Sequence, residues 1–413
     1  MKIAIFDHQL NFGGGTRFIT NLLIHIKKLN KHEITFYCDK EKANSLKILE
    51  IFESQAINVI QLESLKTQSI IYPKNLSGRI IRKIKNRIVK TKPLIKISLS
   101  DEIINISENF DLCYFPWPYG IQNIKTHCPK IATFHDFNFK YFWGVPIYDV
   151  VSLKKMNENI SGWLNDSSAV VSTNFMKSEL LKFYKNVKPE SVDVVHLPSL
   201  NIFDGKNNRQ DQDFYKKYAD LPYIVCPVHL CSHKNINIII TSASIINKDK
   251  IRVRFIFTGK NTELLTGKCE YLGVNTSYSE NIVNFENIDS IGLGYISDSE
   301  MDNILKNSFA VLNASYYEAG NGVGLDAWSL GVPVIQSNIE AHEEHLHLQG
   351  FKAFTFDPKK HESLVNAIEN CLNNSELRIK NINDSKKAAK NLKWENAAIK
   401  YLSIFEKTVK QHD

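Results

Sequence analysis

The stretch 309–337, FAVLNASYYEAGNGVGLDAWSLGVPVIQS, leaves its chain few ways to fold. It opens with an apolar run, 309–312, of the buried-strand type. Three glycines in five positions follow, Gly320, Gly322 and Gly324, and then a segment of helical composition over 325–330. Gly331 stops that helix and Pro333 comes after it, the usual order of C-terminal signals. Residues 332–335 form the next apolar run. Strand, glycine turn, helix and strand make a Rossmann-type βαβ unit. Glycines let a backbone come close to a ligand, and the free N–H groups of a helix start suit a phosphate or another anion. Two carboxylates bracket the turn, Glu318 before it and Asp326 eight positions on. A helix cap flanked by two solvated acids is the purely structural alternative.

The chain repeats this grammar. Residues 2–6 read as a strand, Gly13, Gly14 and Gly15 as a loop, and 16–29 as a helix with Leu22, Leu23 and Ile26 on its apolar face. Further strands are expected at 34–37, 111–115, 130–134, 170–173, 192–196, 223–228 and 252–257. His135 and Asp136 stand at one strand end, where open α/β sheets bind ligands. Pro116-Trp117-Pro118-Tyr119 reads as a rigid turn with a half-buried Trp, or as an aromatic wall for a sugar. Ser297 to Glu300 has the Ser-x-x-Glu spacing of a capping box. The polar stretch 201–222 divides the chain.

Taken together these residues resemble the retaining GT-B glycosyltransferases of glycosyltransferase family 4. The spacing from Glu318 to Asp326 is that of the family's Glu-x7-Glu signature, with Asp in the second place, and Gly331-Val332-Pro333-Val334 matches the tail that follows. His229 to Asn235, HLCSHKN, lies where the family has an Arg and a Lys for the donor diphosphate; Lys234 matches, and His229 stands in the Arg position. The resemblance implies an α/β, GT-B architecture of two Rossmann-like domains facing across a cleft. An acceptor domain would cover 1–200, a linker 201–222, a nucleotide-sugar domain 223–390, and a helix over 391–413 would cross back. It implies transfer of a hexose from a UDP- or GDP-linked donor to a hydroxyl of a glycan or lipid-linked acceptor, in cell-surface polysaccharide synthesis, without cofactor or metal. His135, Glu318 and Lys234 would be catalytic. Gly14, Gly15, His229, Lys234, Glu318, Gly320, Asn321, Gly322 and Asp326 would hold the donor, with Asp326 on the ribose diol. A GT-B nucleotide-sugar epimerase and a non-catalytic GT-B subunit are the other readings.

Composition narrows the setting. Within 413 residues, 43% hydrophobic and 23% charged, there is room for two separate cores. The seven cysteines are scattered without a close Cys–Cys pair of metal-ligand spacing, which points to free thiols in a reducing cytoplasm. His342, His345 and His347 do not have the His-Glu-x-x-His spacing, so metal is not expected there either. The segment 79–96 carries Arg79, Arg82, Lys83, Lys85, Arg87, Lys90, Lys92 and Lys96 without one acid. Ile80, Ile81, Ile84 and Ile88 give it a helical apolar edge, so it is either a peripheral contact with an anionic membrane or a solvated face. Lacking interleaved aromatics, it does not read as a nucleic-acid surface.

Overall fold

The computed structural model describes residues 1–8, 10, 14–29, 31–62, 99–142, 150–200, 214–248, 253–265 and 288–412. The basic segment 79–96 lies outside the described residues, as do Gly13 and the linker core 201–213.

Two parallel sheets are built from these residues. The first comprises β1 (Lys2–Phe6), β2 (Glu33–Cys38), β3 (Asn58–Gln61), β4 (Leu112–Phe115), β5 (Lys130–Thr133), β6 (Ser168–Val171) and β7 (Val192–Val194), in the order β3-β2-β1-β4-β5-β6-β7. The second comprises β8 (Tyr223–Pro227), β9 (Arg254–Thr258), β10 (Ser290–Gly292), β11 (Ala310–Asn313), β12 (Val334–Ser337) and β13 (Phe354–Phe356), in the order β10-β9-β8-β11-β12-β13. Helices cover both faces, so the inner strands are apolar on both sides. In β1, Ile3 and Ile5 enter one core while Ala4 and Phe6 enter the core on the opposite face. In β8 the same alternation sends Ile224 and Cys226 one way and Tyr223 and Val225 the other.

Strand order reverses beside β1 in the first sheet and beside β8 in the second. Loops leaving neighbouring strands there diverge to opposite faces and open a crevice at the strand ends. The expected site residues fall at these two crevices.

Local signals place the elements to within about three residues (the strand expected over 170–173 is Ser168–Val171), and two of the shifts have a clear local cause. The helix expected over 325–330 is Gly322–Leu330, because Asn321 caps it by accepting from the Gly324 N–H at 2.9 Å. A side chain at 324 would put its Cβ 2.4 Å from the Asn321 amide nitrogen, so the cap requires glycine there. The strand after it begins at Val334 and not at 332. Gly331 adopts φ +75°, and the Val332 N–H turns back to the Ala327 carbonyl at 2.9 Å, so Val332 still belongs to the helix ending. The capping box forms as spaced: Ser297 accepts from Glu300 N, and Glu300 accepts from Ser297 N.

The helix Trp394–His412 returns to the first sheet. Its Trp394, Ala397, Ala398, Tyr401, Leu402, Ile404 and Phe405 are part of the core that contains Ile3, Ile5 and Tyr114. Phe405 is fully buried, with its ring 5.3 Å from that of Tyr114. Replacing it with Ala should cost about 3–5 kcal/mol. Hydrogen exchange should show β1 and β4 losing that protection while β8 and β11 keep theirs; equal loss in both sheets would mean that this helix does not belong to the first core.

Candidate active site

At the second crevice, β8 leads into residues 229–235 and β11 leads into 314–321. The two loops meet through Lys234, whose ammonium donates to the Glu318 carboxylate. Glu318 also accepts from the Ser315 hydroxyl at 2.6 Å. Burial by itself pushes this carboxyl up, but the charges of Lys234 and His233 and the hydrogen bonds from Lys234 and Ser315 outweigh it and hold it at about 2. Burial likewise disfavours the Lys234 ammonium, and Glu318 overrides that and moves Lys234 upward. The pair is therefore a fixed plus beside a fixed minus at neutral pH.

Behind it lies a chain of satisfied polar groups. The Asn313 amide donates to His342 Nε2 at 3.2 Å, and His342 Nδ1 donates to the Ser337 carbonyl at 2.9 Å. The Asn321 N–H donates to His345 Nε2 at 3.1 Å, and the Asn321 side-chain amide donates to Gln336. Both histidines are thus neutral acceptors: burial holds His342 at about 4 and moves His345 down as well. They brace the glycine turn. The Asn321 side chain is committed to this network and to its helix, so Asn321 shapes the turn, and the backbone around Gly320 and Gly322 is what the turn offers a ligand.

The first domain faces this turn closely. His135 donates from Nε2 to the Pro116 carbonyl at 2.8 Å and stacks on Trp117 at 4.6 Å, with Phe18 edge-on at 4.9 Å. Burial brings its pKa down to about 4, leaving Nδ1 as a neutral acceptor. Trp117 is the half-buried member of a rigid turn, and a Cβ on Gly15 would stand 3.6 Å from its ring. Asp136 is pushed up to about 6, by burial first and then by the charge of Glu318. The next residue reaches across: the Phe137 N–H donates to the Tyr317 hydroxyl at 3.3 Å, setting the β5 end against the Glu318 loop. Gly14 and Gly322, at two opposing helix starts, both lie against Leu200.

Three of the expected donor residues have occupations that the sequence did not show. Asp326 accepts from the Ser199 hydroxyl at 2.6 Å and from the Leu200 N–H at 3.1 Å, binding the end of the first domain to the second. Gly320 sits where a Cβ would meet His345 at 3.4 Å and Thr173 at 3.6 Å. His229 keeps an exposed edge, but desolvation of the rest of its ring and then the charge of Lys234 bring its pKa down to about 4, so it is neutral in the ligand-free cleft. Lys260 is among the charges that act on it.

Sequence reasoning missed Glu344 altogether. This residue of the helix Glu340–Gln349 accepts from the Asn174 and Phe175 N–H groups, each at 2.8 Å, at the start of the helix Asn174–Phe183 of the first domain, and from His196 at 2.7 Å. Burial raises its pKa, and His196 with these N–H groups brings it below the ordinary value. Thr173 adds a bond from its hydroxyl to the Ala319 carbonyl at 2.7 Å, and Arg17 pairs with Asp298. The only signal for Glu344 was its place in an acidic, His-containing helix start.

Residues 207–388 match the family Glycosyl transferases group 1. The chain carries a glycosyltransferase group 1 domain. Its enzyme class is accordingly glycosyltransferase, and solved structures show its fold to be GT-B. A glycosyltransferase from Rickettsia africae is 16% identical with a TM-score of 0.61, covering 99% of this chain and 98% of that one. Anabaena HepE, solved with UDP and glucose, is 15% identical with a TM-score of 0.63, covering 98% and 100%. WaaG, a glycosyltransferase involved in lipopolysaccharide biosynthesis, is 13% identical with a TM-score of 0.61, covering 98% and 99%. No curated protein sequence matches the chain.

Acid separates the Lys234–Glu318 pair. Glu318 lies at about 2 against an ordinary 4.5, so its contribution to stability is complete above about pH 4.5 and is lost as pH falls through about 2. Urea midpoints measured at pH 6 and pH 3 should differ more in the wild type than in Glu318→Gln. An identical difference in both would show that the pair does not form in solution.

Proposed function

We propose that this chain transfers a hexose from a nucleoside diphosphate sugar to a hydroxyl of a glycan or lipid-linked acceptor, with retention at the anomeric carbon and without a metal, as in glycosyltransferase family 4. The observation that supports this most directly is the Lys234–Glu318 pair at the strand-order reversal beside the glycine turn. In the transfer the bond from the sugar carbon to the phosphate oxygen breaks, and a bond from that carbon to the acceptor oxygen forms on the same face. The acceptor's proton passes to the departing phosphate. Lys234 offsets the charge that grows on the diphosphate, together with N–H groups of the turn, and so fills the place of a divalent cation. Glu318 orients the sugar hydroxyls. His135, neutral and clamped between Phe18 and Trp117, offers Nδ1 to the same sugar from the opposite wall. Asp326, on the ribose diol in this scheme, also holds Ser199 and Leu200 through Oδ1, which links the donor site to the end of the first domain.

A uridine donor is the first to try, since HepE is solved with UDP and glucose, and GDP-sugars are the second. WaaG's part in lipopolysaccharide biosynthesis favours cell-surface polysaccharide synthesis at the cytoplasmic face of a membrane. No helix among the described residues is long and apolar enough to cross a membrane. The contact in this reading is a peripheral one, through the basic residues from Arg79 to Lys96. The neutral state of His229 is the observation that favours a non-catalytic subunit instead, and a GT-B epimerase would use the same carboxylates without an acceptor.

Nucleoside diphosphate release separates these readings: a transferase releases it with acceptor present, an epimerase converts the donor without acceptor, and a non-catalytic subunit binds without turnover. Lys234→Ala should weaken UDP binding by roughly 10- to 100-fold, the worth of a hydrogen bond to a charged group, and leave uridine binding nearly unchanged. Equal loss of both would locate Lys234 away from the phosphates. EDTA should not lower the transfer rate at saturating donor, and a loss restored by Mg²⁺ or Mn²⁺ would overturn the metal-independent scheme.

A further inference from the structure

Residues 229–233 hold a second group of side chains, of which only His229 has a place in the donor reading. Cys231 is extended, with φ −147° and ψ 157°, immediately before a sharp turn of the chain. The short 3₁₀ turn Ser232–Lys234 then folds His233 in beneath the sulfur. Cys231 Sγ is 3.0 Å from His229 Nε2 and 3.3 Å from His233 Nδ1, and the ligand atoms of the three residues all lie within 4.8 Å of one another. A thiol has one hydrogen, so it can donate to only one of the two imidazoles gathered around it.

We propose that His229, Cys231 and His233 form a binding site for a thiophilic cation of the zinc class, and that filling it inhibits sugar transfer. Tetrahedral coordination at ordinary zinc–sulfur and zinc–nitrogen distances needs S···N separations of about 3.5 Å, a few tenths of an ångström wider than those present. One thiolate and two imidazoles select zinc-like ions over magnesium. Binding forms one metal–sulfur and two metal–nitrogen bonds, the Cys231 thiol proton leaves to solvent, and nothing is oxidised or reduced.

The base of the site is anchored. The His233 carbonyl accepts from Tyr316 N at 2.8 Å, and Asn235, in the left-handed region at φ +52°, donates from its amide to the Pro358 carbonyl at 2.8 Å. Its mouth is open, since His229 is exposed and Cys231 half-buried, which gives an ion a way in.

Inhibition follows from what lies next in the chain. His233 is followed by Lys234, and both histidines stand within electrostatic reach of Lys234 and Glu318. With Cys231 bound as thiolate the filled site carries one net positive charge, which repels the Lys234 ammonium and attracts the Glu318 carboxylate, and so works against the ion pair. This second half rests on the proposed donor roles of Lys234 and Glu318; the binding half does not.

Titration of the metal-stripped chain with Co²⁺ tests binding without any donor. The expected result is a thiolate-to-cobalt charge-transfer band that saturates at one equivalent, releases a proton and is displaced by Zn²⁺. Cys231→Ser should lose the band and His229→Gln should weaken it, with thermal melting confirming that both variants fold. In the transfer assay Zn²⁺ should lower the wild-type rate at least 10-fold, EDTA should restore it, and Cys231→Ser should keep its rate in Zn²⁺. No saturable band, or one that survives Cys231→Ser, overturns the site. A normal band with an undiminished or increased rate overturns the inhibition. Absence of transfer by metal-free protein counts against the donor reading and leaves the titration as it stands.

Discussion

A half-buried ammonium ion between two loops needs a carboxylate beside it, and the second domain is arranged around that requirement. Lys234 meets Glu318 only because β8 and β11 are neighbours in the sheet while their outgoing loops turn to opposite faces. Removing either partner leaves an uncompensated charge in a partly desolvated place, an expensive state. The neighbouring polar residues are drawn into the same arrangement. Ser315 serves Glu318 directly, Asn313 and His342 continue the chain of bonds, and Asn321 and His345 hold the glycine turn at the height of the pair. The two histidines serve because they are neutral: each accepts on one nitrogen and donates from the other.

The cleft is tied at several points, and each tie is formed by a group that could face a ligand. Asp326 holds Ser199 and Leu200, Tyr317 takes the Phe137 N–H, and Glu344 caps a helix of the other domain. Hydrogen bonds to a carboxylate are the stronger kind, about twice neutral ones, so the two acids do most of the fastening.

What could be read in the sequence was local. Gly331 and Pro333 end a helix by their own backbone preferences, and Ser297 with Glu300 closes a box four residues long; both signals are complete within about one turn of chain. The repeated strand–turn–helix order was enough for two parallel sheets. The candidate site was legible as a set of positions, since Lys234 and Glu318 each lie in the loop that follows a strand. Their neighbours were not. Nothing near Glu344 indicates that its carboxylate crosses to residues 174, 175 and 196, and nothing near Asp326 announces Ser199. Those contacts depend on how two sheets face each other, which no periodicity records. His229 shows a different limit: position suggested a cation, while its desolvation and the adjoining Lys234 keep it uncharged. The His-x-Cys-x-His spacing carries no signal of the Cys–Cys kind, and its three side chains meet only because a 3₁₀ turn follows Cys231.

The helix Trp394–His412 has a consequence for the order in which the protein matures. It supplies seven members of the core beneath β1, yet it is separated from that strand by the whole of the second domain. During synthesis the second sheet, from β8 to β13, is finished before this helix exists. The first sheet, although made earlier, waits with one flank of apolar side chains uncovered. The nascent chain therefore closes its later half before its earlier one, and the interval in between is when it most needs protection from association with other chains.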